Sequence, residues 1–378
     1  MMPTHLPTPG NSKDQSPDAA EVLILSRGLR SAAGQSGLLT DTQRLLLSAI
    51  CSAMTGYTAT LDAPLIGPSE FADALSARTS EFRSRIVQLM LLLALVLRPL
   101  PPEVIEQIRS FAAELMVDDG MLEIAGKFAE GSLGLAAFDF RRNGYTADWH
   151  EQELAALHTT SELSDPWEVA VTDPALARRW RDLESLPSET LGRRVTDFYR
   201  ARGFVYPGEP GSAPPLLAQH DWVHVLADFG TTVESELEVF AFIARANDDV
   251  RAFSLLAMVV SLFETGYLRT GAGLFEASPG HLEGEAMATR VADAMRRGAS
   301  CQGSVDFLRT DWFELADLPV SEARQHFGVV SKSPRVLRAG SPGPWERGGI
   351  SPFQMKAGAE MAEHQDRVYE PYGASLIT

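Results

Sequence analysis

Four side chains of types that commonly bind metal ions lie in the segment HDWVHVLADFGTTVESE, residues 220–236. They are His220, Asp221, His224 and Glu236. On an α-helix, His220 and His224 lie one turn apart on the same face, and Asp221 lies on the adjoining stripe, three residues before His224. Two imidazoles with one or two carboxylates suit zinc, iron, manganese or cobalt better than calcium. The spacing therefore predicts a site for a divalent metal ion.

Glu236 joins this group only if the chain folds back on itself. It lies twelve residues after His224, and one continuous helix would separate the two by about 18 Å at a rise of ~1.5 Å per residue. Gly230 suits the end of a helix, and Thr231 with Glu234 three residues later matches a capping box at the start of the next helix. The sequence thus predicts a helical hairpin.

Apolar side chains recur at helical spacing on both sides of this turn. In the first helix they share a stripe with both histidines, which consists of Leu216, Leu217, His220, Val223, His224 and Ala227. In the second helix the stripe consists of Val233, Leu237, Phe240 and Ala244. Glu236 falls at the edge of that stripe, whereas Glu234 and Glu238 are predicted to face solvent. Of the three glutamates, we expect only Glu236 to reach the histidines.

The chemistry of such a site depends on how many positions of the ion the protein fills. Three protein ligands leave positions open, and open positions permit catalysis. In zinc peptidases with an H-E-x-x-H helix, a glutamate follows the first histidine as general base, but here that position holds the shorter Asp221. Peptidase-like hydrolysis therefore fits poorly. Asp221 either binds the ion directly or orients a histidine from outside the ligand set, and the sequence leaves both roles open.

The H-D-x-x-H motif is followed by eleven residues and then by a glutamate. This pattern resembles that of the ubiquinone (coenzyme Q) biosynthesis proteins of the Coq-four family, and all four ligand positions are present. The segment LPSETLGRRVTDFYRARGF (186–204) and the segment ASCQGSVDFLRTDWFELADLPVSEARQHFGV (299–329) are also similar to that family. The resemblance covers residues 183–330. Ser235 stands where family members commonly carry glycine, and the usual Trp-Glu is replaced by Trp312, Phe313 and Glu314. Neither departure affects a ligand position.

This resemblance implies an all-helical, dimeric protein that binds a divalent ion beside a hydrophobic tunnel for a polyprenyl tail and acts peripherally at membranes. It implies oxidative decarboxylation of a prenylated hydroxybenzoate-type precursor, with His220, Asp221, His224 and Glu236 as the catalytic metal site. The ion would be zinc or iron first, with manganese, cobalt or magnesium as alternatives. Other quinone-biosynthesis proteins are expected partners. Two alternatives are a non-catalytic lipid-binding scaffold that organises such enzymes, and a family member redirected to a secondary-metabolite substrate.

The charge of the 378-residue chain limits its partners. A formal net charge of -17 argues against nucleic acid as the main partner, because phosphate binding needs a basic face. Local basic groups remain candidates for the phosphate or carboxylate of a lipid head group, although paired arginines usually form a solvated helix face. These candidates are Arg193 and Arg194, together with Arg290, Arg296 and Arg297.

Three features bear on the location of the protein. Cys51 and Cys301 are isolated, so they form neither a disulfide framework nor a zinc-finger pattern, which suits a reducing compartment. The first twenty residues lack the apolar stretch of a signal peptide and the arginines of a transit sequence. The apolar run at 86–97 is shorter than the ~20 residues that span a bilayer. We expect a cytoplasmic protein, with peripheral association at the inner face of the membrane.

Helical periodicity and turn signals predict an all-α fold with two helical domains, and no period-two alternation indicates a sheet. We expect a disordered segment at 1–19, a helical domain at 20–158, a linker or docking segment at 159–182, the metal-binding domain at 183–330 and a mostly disordered tail at 331–378. Each domain is expected to have its own core. The predicted helices are 40–54, 71–77, 80–97, 102–117, 121–140, 175–183, 250–265 and 282–297, with one more near 355–367.

Overall fold

The computed structural model describes residues 16–97, 100–118, 120, 122–123, 172–212, 215–247, 256, 260, 281–303 and 305–372. These residues form helices joined by turns, and within the described ranges there are isolated β-bridges but no strand. The all-α prediction is therefore confirmed. In the same part of the chain, no helix combines the length and the apolar character needed to cross a bilayer.

The helices are numbered here in chain order. Before the first long gap lie α1 (Ala19–Ala33), α2 (Asp41–Thr55), α3 (Pro68–Ala74), α4 (Ser80–Leu95) and α5 (Pro102–Glu114). After it lie α6 (Pro174–Asp182), α7 (Leu191–Arg202), α8 (Pro215–Ala227), α9 (Val233–Ala246), α10 (Glu285–Ala299), α11 (Val320–Phe327), α12 (Pro334–Arg338) and α13 (Pro352–His364). Short 3-10 turns occur at Leu183–Ser185, His281–Glu283 and Trp312–Glu314.

Local capping explains where several of these helices begin. Thr40 and Gln43 form a capping box at α2, and Thr79 and Thr190 accept hydrogen bonds from the first turns of α4 and α7. Helices α2 to α6 and α10 match predicted helices. α3 begins earlier than predicted, at Pro68, because proline suits the first helical turn. The helices not predicted are α1, α7, α11 and α12, and the helices predicted at 121–140 and 250–265 fall almost entirely outside the described residues.

Most buried apolar side chains of the described residues belong to one cluster, which includes residues from both parts of the chain, and the two predicted domains stay a prediction. α10 joins the two parts of the chain because it packs against both α2 and α9. It can do this because many of its side chains are buried, among them Met287, Val291 and Met295. The helix that supports α9 is thus shared with the amino-terminal helices.

Residues 331–372 fold against the rest of the molecule, which corrects the prediction of a mostly disordered tail. The predicted helix in this region is present as α13, which packs against α7. The buried guanidinium of Arg202 donates to the carbonyls of Pro344 and Gly349 at 2.9 and 3.2 Å. The prediction failed because the prolines and glycines of this segment form turns and close backbone contacts rather than an unstructured chain.

α9 and α10 approach each other closely at Gly298. A Cβ atom at this position would lie 2.3 Å from the carbonyl oxygen of Phe242 in α9. Helix backbone cannot move away without disturbing its own hydrogen bonds, so even a small side chain at this position would push the helices apart. Because α9 carries Glu236, this contact helps to set the position of a predicted metal ligand.

We predict that Gly298→Ser lowers the free energy of unfolding by about 1–3 kcal/mol, the usual cost of overpacking. Gly284→Ser is the matched control, because Gly284 is the exposed N-cap of α10 and an added Cβ there would meet no atom closer than 3.9 Å. Serine is a favoured N-cap, so this variant should be as stable as the wild type or slightly more stable. Urea unfolding measures both, and equal stability of the two variants would contradict the prediction.

Candidate metal centre

The predicted helical hairpin is present, with the three predicted ligands of the H-D-x-x-H motif on α8 and Glu236 on α9. α8 is closed by Asp228, whose φ of 63° is left-handed. The Phe229 N–H donates to the carbonyl of His224 at 2.9 Å, which is the bond pattern of a left-handed helix end. The helix end predicted at Gly230 is therefore wrong, because Asp228 adopts the conformation for which glycine was expected.

Position 230 requires a small residue because another segment of the chain lies against it. A Cβ atom there would lie 2.7 Å from the Cα atom of Gly349. The Gly230 N–H also donates to the carbonyl of Pro342 at 3.0 Å. The glycine at this turn therefore permits a close approach of the tail, and not a left-handed backbone.

Thr231 is also bound by the tail. Its N–H donates to the carbonyl of Gly349 at 2.8 Å, and its hydroxyl donates to Oε1 of Gln354 at 2.6 Å. The N-cap of α9 is Thr232, which forms no side-chain capping bond. The capping box predicted for Thr231 and Glu234 is therefore wrong, since the tail occupies the hydroxyl that would have formed it.

The hairpin brings the four predicted residues to one point. Nε2 of His220 lies 3.5 Å from Oε2 of Glu236 and 3.6 Å from Oδ1 of Asp221. Nε2 of His224 lies 3.4 Å from Oε1 of Glu236. Ligand atoms of His220, Asp221 and His224 lie within 4.8 Å of one another. Ligands about 2.1 Å from a common ion are roughly 3–4 Å apart, so the three residues of the motif, with Glu236 next to both histidines, are spaced as ligands of a single divalent ion would be.

Aromatic rings enclose this group. All four side chains are buried, and His220 and Asp221 keep the largest exposed fractions, 5% and 7%. The ring of Phe198 stacks on His224 with 5.5 Å between centroids, and Phe240 stacks on His220 at 5.0 Å. These rings hold the imidazole planes and exclude water, which strengthens the electrostatic interactions inside.

The two carboxyl groups respond differently to this environment. Burial acts most strongly on Glu236 and would raise its pKa, but the combined attraction of His224 and His220 lowers it to about 2. For Asp221, burial outweighs the attraction of the same two histidines, so its pKa lies above the ordinary value. Glu236 is therefore an anion throughout the physiological pH range.

Tyr199 of α7 also belongs to this centre. Its hydroxyl donates a 2.6 Å hydrogen bond to Oδ2 of Asp221. Burial first, and then the charge of Asp221, raises the pKa of Tyr199 well above its ordinary value, so the hydroxyl keeps its proton. The other oxygen of Asp221 lies toward His220. Sequence analysis missed Tyr199 because no local signal marks it, and it meets Asp221 only through the packing of α7 on α8.

Several buried polar atoms of the centre have no hydrogen-bond partner in the described part of the chain. These are both ring nitrogens of His224 and Oε1 of Glu236, although Nε2 of His224 and Oε1 of Glu236 lie 3.4 Å apart and attract each other electrostatically. An unpaired buried polar atom costs about 1–3 kcal/mol, and more if it is charged. An ion bound by Nε2 of His224 and Oε1 of Glu236 would satisfy both groups. The residues present therefore fit a divalent cation, and its binding stays a prediction.

Glu238 is fully buried, so the prediction that it faces solvent is wrong. α10 packs on α9, and Nη2 of Arg290 on α10 lies 2.6 Å from Oε2 of Glu238. Glu234 is partly exposed and pairs with Nδ1 of His281 at 2.7 Å. Glu236 meets the histidines of the motif as predicted, whereas its two acidic neighbours are paired elsewhere.

Most of the arginines predicted as candidates for a lipid head group are engaged within the protein. Arg193 lies 3.1 Å from Oδ1 of Asp197 and donates to the carbonyl of Glu184. Arg194 differs, because its guanidinium stacks over the ring of Trp345 at 5.1 Å. Arg290 pairs with the carboxylate of Glu238, and Arg296 pairs with that of Asp293. Arg297 donates to the carbonyls of Ala227 and Val330.

Comparison with known proteins adds little to this description. No protein-family model and no curated protein matches the chain. One solved structure is similar, that of a protein from Nostoc punctiforme PCC 73102 whose name proposes a role in ubiquinone biosynthesis. The two sequences are 24% identical over 57% of this chain and 98% of the other, with a TM-score of 0.31. At that TM-score the likeness carries no weight for fold or function.

We predict that Tyr199→Phe weakens zinc binding by about 10–100-fold, as is usual when an outer hydrogen bond to a metal site is lost. The physical reason is that Asp221 loses the donor that fixes Oδ2. Competition with a chromogenic chelator measures the affinity.

Tyr206→Phe is the matched control for this change. Tyr206 is also buried, and it belongs to the same aromatic cluster, but its hydroxyl donates to Oε1 of Glu184 at 2.8 Å. It should bind zinc as tightly as the wild type. Wild-type affinity in Tyr199→Phe would show that the hydrogen bond to Asp221 does not support a metal site.

Proposed function

We propose that this protein binds a divalent metal ion between α8 and α9 and uses it to act on a prenylated aromatic acid. The observation that supports this most is the cluster of His220, Asp221 and His224, with Glu236 next to both imidazoles and with buried atoms that have no hydrogen-bond partner among the described residues. The sequence resemblance to coenzyme Q biosynthesis proteins supports the substrate class. His220, His224 and Glu236 would hold the ion.

Asp221 would tune the centre in this proposal. Its Oδ2 accepts from Tyr199, which leaves Oδ1 to approach the ion or to orient His220. Both roles that the sequence leaves open are compatible with this geometry. The rings of Phe198 and Phe240 would keep water from the ligands. Leucine and phenylalanine side chains of neighbouring helices would receive the prenyl tail.

The proposed reaction replaces a ring carboxyl group by hydroxyl. One O₂ and two reducing equivalents with their protons convert ring–COOH into ring–OH, CO₂ and water. A bound iron ion would supply electron exchange with O₂, whereas zinc has no redox chemistry of its own and would only stabilise negative charge. Two histidines and one carboxylate with open positions are the ligand set of many non-haem iron oxygenases.

We predict that His224→Gln weakens metal binding at least about a hundredfold, since a ligand matters more than an outer partner whose loss costs about 10–100-fold. Elemental analysis of protein purified without oxygen measures the bound metal. His364→Gln is the control, because His364 is exposed at the end of α13. Metal content equal to the wild type in His224→Gln would refute the assignment of the site.

Turnover is tested separately from metal binding. The metal-loaded protein is incubated with a 3-polyprenyl-4-hydroxybenzoate, O₂ and a reductant, and products are followed by mass spectrometry. We expect loss of CO₂ with gain of one hydroxyl, and no product from His224→Gln. Metal binding without any product would exclude this reaction and leave the metal site intact.

The deep burial of the centre favours one second candidate, a structural metal in a lipid-binding scaffold. Structural sites are closed, and all four residues here are at most 7% exposed. In that case removal of the metal should lower the melting temperature sharply and turnover should be absent. In this proposal, association with other quinone-biosynthesis proteins and homodimer formation are testable by co-purification and by light scattering.

A further inference from the structure

A cavity of about 580 Å³ lies beside the carboxyl end of α8, and none of the four predicted metal ligands lines it. Its walls include Arg194 of α7, Arg324 of α11 and Trp345 of the tail. Cavities of roughly 300–1,000 Å³ are typical of small-ligand sites. Because the tail forms one wall, this cavity does not follow from the sequence pattern.

Arg324 is held in the cavity wall by the end of α8. Its Nε donates to the carbonyl of Leu226 at 2.6 Å, and its Nη2 donates to the carbonyl of Val225 at 3.3 Å. Among the described residues no carboxylate lies within ion-pair distance of Arg324. These bonds therefore fix the guanidinium in place without neutralising its charge.

Arg194 is the second fixed cation of the cavity. Its guanidinium lies over Trp345, and it forms no ion pair with any residue that the structure describes. Burial lowers the pKa of Arg194, and Arg324 lowers it further against the opposing attraction of Asp197. Two arginines that repel each other across a cavity, each already held in position, make an arrangement that a bound anion would stabilise.

Two of the three acidic side chains that line the cavity have partners. Oδ2 of Asp228 lies 3.8 Å from Nζ of Lys332, and Oε2 of Glu346 accepts from the Gly343 N–H at 3.0 Å. Glu189 is exposed at the opening. The first turn of α11 borders the same cavity, and its N-cap, Pro319, forms no side-chain capping bond.

We propose that this cavity binds the phosphate group of a ligand through Arg194 and Arg324. The site is independent of the metal centre and of the function proposed for it. The cavity is larger than a phosphate ion, so the natural ligand carries an organic part as well. That ligand is either a soluble phosphate ester or a lipid with a phosphate head group.

Binding of inorganic phosphate to the full chain is measured by calorimetry at low salt, before and after metal is stripped with EDTA and the EDTA is removed by desalting, so that phosphate binding to a metal ion is recognised. We expect Arg194→Gln to weaken binding by about tenfold or more, since a charged hydrogen-bond donor is lost. Arg194→Lys should retain part of the affinity, because lysine keeps the positive charge but lacks the planar guanidinium that can donate two parallel hydrogen bonds. Arg193→Gln, the neighbouring arginine outside the cavity, should bind as the wild type does.

Flotation with phosphatidylcholine vesicles that contain phosphatidic acid distinguishes the two sources. Flotation that depends on Arg194 supports the site with a lipid ligand, and phosphate binding without flotation supports it with a soluble one. Circular dichroism confirms that each variant is folded. The proposal is overturned if the wild type binds neither probe, if Arg194→Gln binds both as tightly as the wild type, or if EDTA abolishes binding.

Discussion

Glu236 carries a negative charge at a position from which water is excluded, and the rest of the centre depends on how that charge is stabilised. Its side chain is 1% exposed, and its pKa is nevertheless about 2 because of His224 and His220. Burying an uncompensated ion costs several kcal/mol. The two imidazoles can compensate it only if α9 is held in a fixed position against α8. The hairpin therefore carries Glu236 and is also needed to stabilise the charge of Glu236.

The tail fixes that position from outside the hairpin. Gly230 and Thr231 at its turn bond to backbone of the tail, and Arg202 bonds both to Thr231 and to the carbonyl of Gly349. Burial lowers the pKa of Arg202 to about 9, against the attraction of Asp221 and Glu236, so it stays charged at neutral pH. A permanent cation thus lies behind the turn, close enough to influence both carboxylates. The tail contributes to the electrostatics of the centre as well as to its geometry.

The parts of the centre that were predictable are those that depend on local spacing. The helical period places His220 and His224 on one face, and the distance to Glu236 demands a turn, so the hairpin and its four side chains follow from a short segment. Three other features do not follow from that segment, because each depends on a helix or loop distant in sequence. They are the hydrogen bond from Tyr199, the burial of Glu238 and the role of Gly230. The composition of the tail led to a wrong prediction, because many prolines and glycines are typical of an unstructured chain. Here they form the turns that cover the hairpin.

Two buried carboxylates on α9, two residues apart, show why the centre is more than a packed core. Glu238 is paired with Arg290, and an arginine is the usual partner of a permanently buried carboxylate. Glu236 is paired with two imidazoles instead. An imidazole is charged near neutral pH only when its surroundings hold the proton, and a neutral one is a good metal ligand. If burying Glu236 were only structural, a second arginine would serve better. Unlike an arginine, an imidazole can either compensate Glu236 or bind a divalent cation together with it, which is what the proposed metal site requires.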